Sequence, residues 1–193
     1  MQPLSPKDLY SLEEYARVRP EFRARVIAHK KGRRVALGSH ASLYFEDAMT
    51  MQYQVQEMLR IERIFEPDGI QEELDVYNAL VPDGSNWKAT FMLEYSDADE
   101  RKRALEQLIG IERHLYVQVA DFTQVRPIAN EDLPRENDRK TAAIHFVRFE
   151  LTPEMVVAVK RGAPIKAGID HPLYHAEVTI PDYVRRSLVA DLD

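Results

Sequence analysis

Trp87-Lys88-Ala89-Thr90-Phe91-Met92-Leu93-Glu94-Tyr95 is the stretch that decides the fold. Trp87, Ala89, Phe91, Leu93 and Tyr95 alternate with Lys88, Thr90, Met92 and Glu94. A period of two is the mark of a strand with one buried face and one mixed face. Thr141 to Leu151 predicts a second strong strand, with His145, Val147, Phe149 and Leu151 on one face. Shorter strand signals stand at Val35–Leu37, His40–Phe45, Leu115–Val119, Gln124–Ile128 and Ile165–Ile169. Gly38-Ser39 between the first two reads as a two-residue hairpin turn of type II′.

Helix signals surround these strands. Thr50 to Phe65 predicts a helix with Met51, Val55, Met58, Leu59 and Phe65 on one face and Glu62 inside that stripe. Tyr53, Glu57, Arg60 and Ile64 make the other face only partly polar, so this helix is expected to be sandwiched. Ser5-Pro6-Lys7-Asp8 reads as one helix start, and Pro20 as the start of a second helix carrying Phe22, Val26 and His29. Ile70, Leu74, Tyr77 and Val81 predict a helix over 70–80. Ser96, Thr152-Pro153 and Pro181 open three more, while 130–138 reads as a short helix and loop. Together these give a single α+β domain over 1–193, a helical region at 1–34 followed by mixed structure, with a mainly antiparallel sheet packed by several helices. No glycine-rich turn between strand and helix supports a doubly wound parallel sheet.

Composition narrows the class. Apolar residues at 45% and charged residues at 30% fit a soluble globular protein. A net charge of −6 argues against a general nucleic-acid binder, which needs a basic surface to displace counterions. The charge is uneven: residues 1–34 hold nine Lys/Arg against four Asp/Glu, and the rest is acidic. The basic start is expected to pack on the acidic remainder, within the chain or across a homodimer. With no cysteine there are no disulfides, thiolate metal sites or thiol nucleophiles. The early run Pro3, Ser5, Pro6, Lys7, Asp8 interrupts any signal-like apolar segment, and no apolar run reaches membrane-spanning length. The expectation is a cytoplasmic protein.

Several residues could carry chemistry. Glu62 on its apolar stripe is either a ligand or buried acid, or the partner of an N-terminal arginine, or the stripe ends before it. Glu57 and Arg60, one turn apart, fit a plain surface pair. His145 among apolar neighbours is a metal ligand, a proton shuttle or a core histidine bonded to backbone. Glu94 would approach it if the two strong strands are neighbours. Asp170-His171-Pro172-Leu173-Tyr174-His175 is the densest group of metal-capable residues, and it reads either as part of a metal site or as a turn with surface histidines. A His/Glu centre drawn from His145, His171, His175, Glu57, Glu62 and Glu94 would suit iron or manganese. No Walker A loop, dinucleotide fingerprint, nucleophile elbow or HExxH motif is present. Glu112-Arg113-His114 has the wrong spacing for the Glu-x-x-His of a di-iron bundle.

The runs Arg25–Gly38, Tyr53–Phe65, Pro82–Thr90, Ala143–Phe146 and Asp170–Pro172 resemble a bacterial family of domains of unknown function. Members are often encoded beside a rubrerythrin and an iron–sulfur oxidoreductase subunit. The resemblance spans nearly the whole chain and brings no assigned catalytic residues. It implies a setting in peroxide or iron-linked redox metabolism. Two functions follow as expectations: an accessory or binding protein of such a redox system, or a metal-dependent enzyme.

Overall fold

The computed structural model describes residues 2–193. The fold is α+β. A helical layer opens the chain: a short 3-10 turn at Pro6–Asp8, α1 at Leu12–Lys31, and, after a hairpin, α2 at Ala48–Glu62 and α3 at Pro67–Asn78. The two helices expected in residues 5–31 are one helix and a turn. Pro20 lies inside α1 rather than at its start. It faces solvent, as does Ala16, whose carbonyl loses its hydrogen-bond donor on the exposed side of the helix. Tyr15, Phe22 and Val26 on the opposite side form one buried stripe that keeps the helix continuous. Helix α2 lies between α1 and α3, sharing Tyr53 with the first cluster and Val55 and Leu59 with the second.

The strands form two main sheets. The hairpin β1 (Arg34–Leu37) and β2 (Ala41–Phe45) joins β3 (Asn86–Leu93), β8 (Ile144–Glu150) and β5 (Ile128–Ala129) in the order β1-β2-β3-β8-β5. The second sheet has the order β10-β9-β4, from β4 (Leu115–Val119), β9 (Ile165–His171) and β10 (Tyr174–Thr179). Every strand pair is antiparallel. In the five-stranded sheet, Leu43 lies opposite Phe91 and Phe91 opposite His145; Phe45, Ala89 and Val147 form the next row. These rows face a core shared with the second sheet and with α4 (Ala98–Gln107), α5 (Pro153–Lys160) and α6 (Asp182–Val189).

Three local readings change. Leu37 pairs with Ala41, so Gly38-Ser39-His40 is a three-residue loop rather than a two-residue turn. Gly38 has φ +74, and a Cβ there would stand 2.8 Å from the Tyr174 hydroxyl, which donates to the Leu37 carbonyl at 2.7 Å and pins the loop to β10. Residues 130–138 form no helix. They lead into a ribbon of β6 (Glu136–Asn137) and β7 (Lys140–Thr141), because Asn137 turns the chain by accepting the backbone N–H groups of Arg139 and Lys140. Residues 170–175 are not a free loop: His171 pairs with Tyr174 across a tight turn made by Pro172 and Leu173.

Helix α2 ends three residues earlier than its apolar period suggests. Arg63 takes the left-handed conformation at φ 56, and Ile64 N–H closes the helix onto the Leu59 carbonyl. Phe65 is therefore outside the helix and exposed, and Glu62 is exposed at its last turn instead of buried in a stripe.

One buried cation ties the layers together. Arg33, 2% exposed, donates to the Phe45 carbonyl at 2.9 Å, the Glu46 carbonyl at 3.0 Å, the Ser187 carbonyl at 3.2 Å and the Ser187 hydroxyl at 3.0 Å. It also pairs with Asp191 and lies 3.4 Å from Asp47, which His29 holds from the other side. The basic N-terminal region thus does meet acids from the rest of the chain.

Candidate functional site

The two faces of the five-stranded sheet differ, as the alternation in β3 requires. Its outer face presents Tyr44, Thr90, Met92, Phe146, Lys88 and Arg148, all only half-buried. Register aligns Tyr44 with Thr90 and Thr90 with Phe146, so these side chains form one continuous floor. Helices α1, α2 and α3 bury most of their apolar surface against each other and do not seal this floor. What remains is a cleft beneath α2 and the end of α3, made of two adjoining hollows of about 480 and 500 Å³. Tyr77, Leu80 and Phe146 line both hollows. Each is within the size range of small-molecule sites, and the lining is mainly apolar and aromatic.

The charged groups that line the hollows differ at the two ends. At one end stands Glu46, 4% exposed, on the turn between β2 and α2. Its backbone is fixed by Arg33, which donates to its carbonyl, and by the Lys88 carbonyl, which accepts its N–H at 2.8 Å. Its Oε1 accepts from the Thr90 hydroxyl at 2.7 Å, which places the carboxylate on the cleft side of the sheet. Its Oε2 is buried and has no hydrogen-bond partner among the described residues. At the other end the cations are already engaged. Lys88 donates to the Ala79 carbonyl at 2.7 Å, and burial lowers its pKa. Arg148 pairs with Glu131 and Glu150, while Arg135 pairs with Asp132 and lies 4.4 Å above the Phe146 ring.

A second polar group lies on the core side of the same sheet. His145 is fully buried. Its Nε2 stands 3.0 Å from the Ala142 carbonyl and the Thr141 hydroxyl, and its Nδ1 stands 3.0 Å from the Asn130 amide nitrogen. That geometry suits a neutral ring with the proton on Nε2. Burial lowers its pKa, against the pull of Glu112, whose Oε2 lies 3.9 Å from Nδ1. Glu112 sits on a short 3-10 helix, Ile111–His114, and is itself 2% exposed. Buried oxygens of Glu112, Glu136 and Asn130 lack hydrogen-bond partners among the described residues.

The six residues singled out from the sequence occupy separate places. His145 is in the core. His171 is buried at the end of β9, its ring edge-on to His114 at 5.0 Å, and burial followed by the neighbouring His114 lowers its pKa. His175 pairs with Asp170, so it faces the opposite side of the hairpin from His171 and is exposed. Glu57 lies between α1 and α2, accepting from Arg19 at 2.7 and 2.9 Å and from the Tyr15 hydroxyl at 2.7 Å. Arg19, followed by Tyr15 and Arg60 against the opposing effect of burial, lowers its pKa to about 2. Glu62 is exposed at the end of α2. Glu94 does not approach His145, although β3 and β8 are neighbours. Two residues beyond Met92, it follows the outer-face parity and binds Arg34 and the Tyr44 hydroxyl. Among the described residues, no three of His, Asp and Glu are arranged to hold a metal ion.

The sequence did not single out Glu46, and Glu112 stood out only in a wrongly spaced motif. For Glu46 a signal existed: it stands two residues after Tyr44, and period two puts both on the mixed face. For Glu112 none did, because a four-residue 3-10 turn leaves no periodic trace.

A family model described as "Protein of unknown function (DUF3501)" matches residues 3–192. The chain belongs to this family. It is also similar to a solved structure described as a novel protein of unknown function from Burkholderia pseudomallei. The two share 50% identity over the full length of both chains, with a TM-score of 0.94. No curated protein matches the chain. Within the DUF3501 fold, the cleft is therefore read from its own geometry and chemistry.

Proposed function

We propose that this protein is a binding protein that serves a redox system and holds a small, largely apolar molecule in the cleft on the outer face of its five-stranded sheet. The observation that carries this reading is the cleft itself: a floor of Tyr44, Thr90, Met92 and Phe146 left open by helices that pack on one another. Well-packed domains leave few such voids, and a large apolar hollow with a few fixed polar groups is the ordinary form of a ligand site. The redox setting rests on the family resemblance, which names a rubrerythrin and an iron–sulfur subunit as the partners to try. The alternative is an iron- or manganese-dependent enzyme using His145, His171, His175, Glu57, Glu62 and Glu94. The dispersion of those six residues favours the binding reading.

The test uses N-phenylnaphthylamine, a fluorescent apolar probe. Saturable binding at about one probe per chain is expected. Leu80→Trp and Met92→Trp, which fill the cleft, should each weaken it at least ten-fold while leaving the circular dichroism spectrum unchanged. No saturable binding, or equal binding by both filled variants, would overturn the cleft assignment. A pull-down at low salt with the rubrerythrin and iron–sulfur subunit tests the redox association separately, and recovery of neither would remove it.

A further inference from the structure

We infer that the molecule held in this cleft carries a cationic amine, and that Glu46 is the group that receives it. The inference rests on the cleft reading above and adds the chemistry of the ligand. A carboxylate removed from water must be compensated by donors, since burial of an unpaired charge is costly. Among the described residues, the Glu46 carboxylate has one donor, the neutral Thr90 hydroxyl on Oε1, and its Oε2 has none. Its position leaves it little freedom to escape. Arg33 holds its backbone carbonyl, and the Lys88 carbonyl accepts its N–H, so the side chain is presented to the cleft from a fixed turn. The guanidinium of Arg33 is spent on carbonyls, Ser187 and Asp191, and it offers the carboxylate of Glu46 nothing. Lys30 lines the same hollow from its half-exposed rim and makes no hydrogen bond to Glu46.

The surroundings select a cation over a neutral donor. Glu94, a second carboxylate already paired with Arg34, lines the same hollow beside Tyr44. Tyr77 adds an aromatic ring, which attracts an ammonium through its quadrupole, whereas the Tyr44 and Phe146 rings already carry Arg34 and Arg135. Met51 and Met92 supply polarizable, adaptable walls. A charge-assisted bond from an ammonium to a buried carboxylate is roughly twice as strong as a neutral one. The apolar remainder of the ligand would run along Phe146 and Leu80 into the second hollow, where Arg148 and Arg135 are paired with carboxylates and Lys88 is bound to the Ala79 carbonyl. The ligand class is therefore an elongated apolar molecule with an amine at one end.

Displacement of N-phenylnaphthylamine by octylamine, octanol and octanoate, three probes of equal chain length, tests this. Octylamine, protonated at neutral pH, is expected to compete at least ten-fold better than the other two. Glu46→Gln retains an acceptor for Thr90 and should abolish that preference, lowering octylamine affinity ten-fold or more with octanol unchanged. Glu46→Asp, which keeps the charge but withdraws it, should restore part of the preference. If octanol or octanoate competes as well as octylamine, or Glu46→Gln retains the preference, the amine assignment is overturned and the cleft reading stands. If the parent protein binds no probe at all, both readings fall together.

Discussion

Replacing Arg33 by methionine keeps most of the aliphatic stem and removes the guanidinium. The structure fixes what is lost. Five hydrogen bonds disappear: those to the carbonyls of Phe45, Glu46 and Ser187, to the Ser187 hydroxyl, and to Asp191. Asp191, 2% exposed, keeps its carboxylate with no cation beside it. Removing one partner of a buried ion pair costs about 3–5 kcal/mol, because the other charge stays buried. For a chain of this size that is a fall in melting temperature of about 6–20 °C. The loss should depend on pH. Burial already holds Asp191 up to about 6, against the attraction of Arg33. A raised acid contributes stability that is fully present below its unfolded value and is lost as pH rises through its folded value. Without Arg33 the shift grows, so the deficit of the variant should shrink when unfolding is measured at pH 5 instead of pH 8. Urea unfolding followed by circular dichroism reads both. The double variant Arg33→Met, Asp191→Asn should recover about half of the loss. A single variant within about 1 kcal/mol of the parent, or a deficit that grows toward pH 5, would refute the reasoning.

Three further outcomes are expected. His145 should remain neutral at pH 7, and because its folded pKa is depressed, the stability it contributes is present above its unfolded value near 6.5 and lost as pH falls below that; an NMR titration showing His145 protonating above 6.5 would contradict this. Gly168→Ala brings a Cβ to within 2.3 Å of the Tyr116 ring and should cost about 1–3 kcal/mol, with Tyr116→Ala relieving part of it in the double variant; additive losses in urea melts would count against the clash. Glu57→Gln should cost about 1–2 kcal/mol at pH 7, less than a fully buried pair because Arg19 is a third exposed, and the cost should vanish as pH falls from about 4.5 toward 2; a pH-independent cost would show that the charge is not the cause.

The long strands β3 and β8 were the legible part of this fold, whereas β10 was not expected and the strand expected at Gln124–Ile128 is reduced to Ile128–Ala129. Trp87 to Leu93 alternates without exception, and the observed sheet buries the expected face. The misread parts share a cause: local signals were overruled by partners distant in sequence. Pro20 marks a helix start by propensity, but the stripe of Tyr15, Phe22 and Val26 packs across it. Glu62 and Phe65 continue the apolar period of α2, but Arg63 ends the helix in the left-handed region before that period can act. The polar stretch 130–138 carries no strand pattern because its short ribbon is held by turn hydrogen bonds, not by a buried face. The site was half legible. Lys88, Thr90, Met92 and Glu94 were visible as a mixed face, but that helices would leave this face open depends on how α1, α2 and α3 pack, which no single segment encodes. The histidine motif at 171 and 175 misled for a simple reason. A two-residue turn sends the two rings to opposite sides of the hairpin.

The reach of Arg33 across the chain bears on how the protein is made. Its partners Ser187 and Asp191 lie 154 and 158 residues downstream. A ribosome adding 5–20 residues per second needs roughly 8 to 30 s to deliver them after Arg33 has emerged. During that interval the β1–β2 hairpin can form, but its neighbour β3 waits for β8, and the future core face of the nascent sheet is exposed. The buried guanidinium therefore acts as a late latch. Yield of soluble protein should rise with slower growth temperature or added chaperone, and the Arg33 variant should profit least, since nothing closes behind it once synthesis ends.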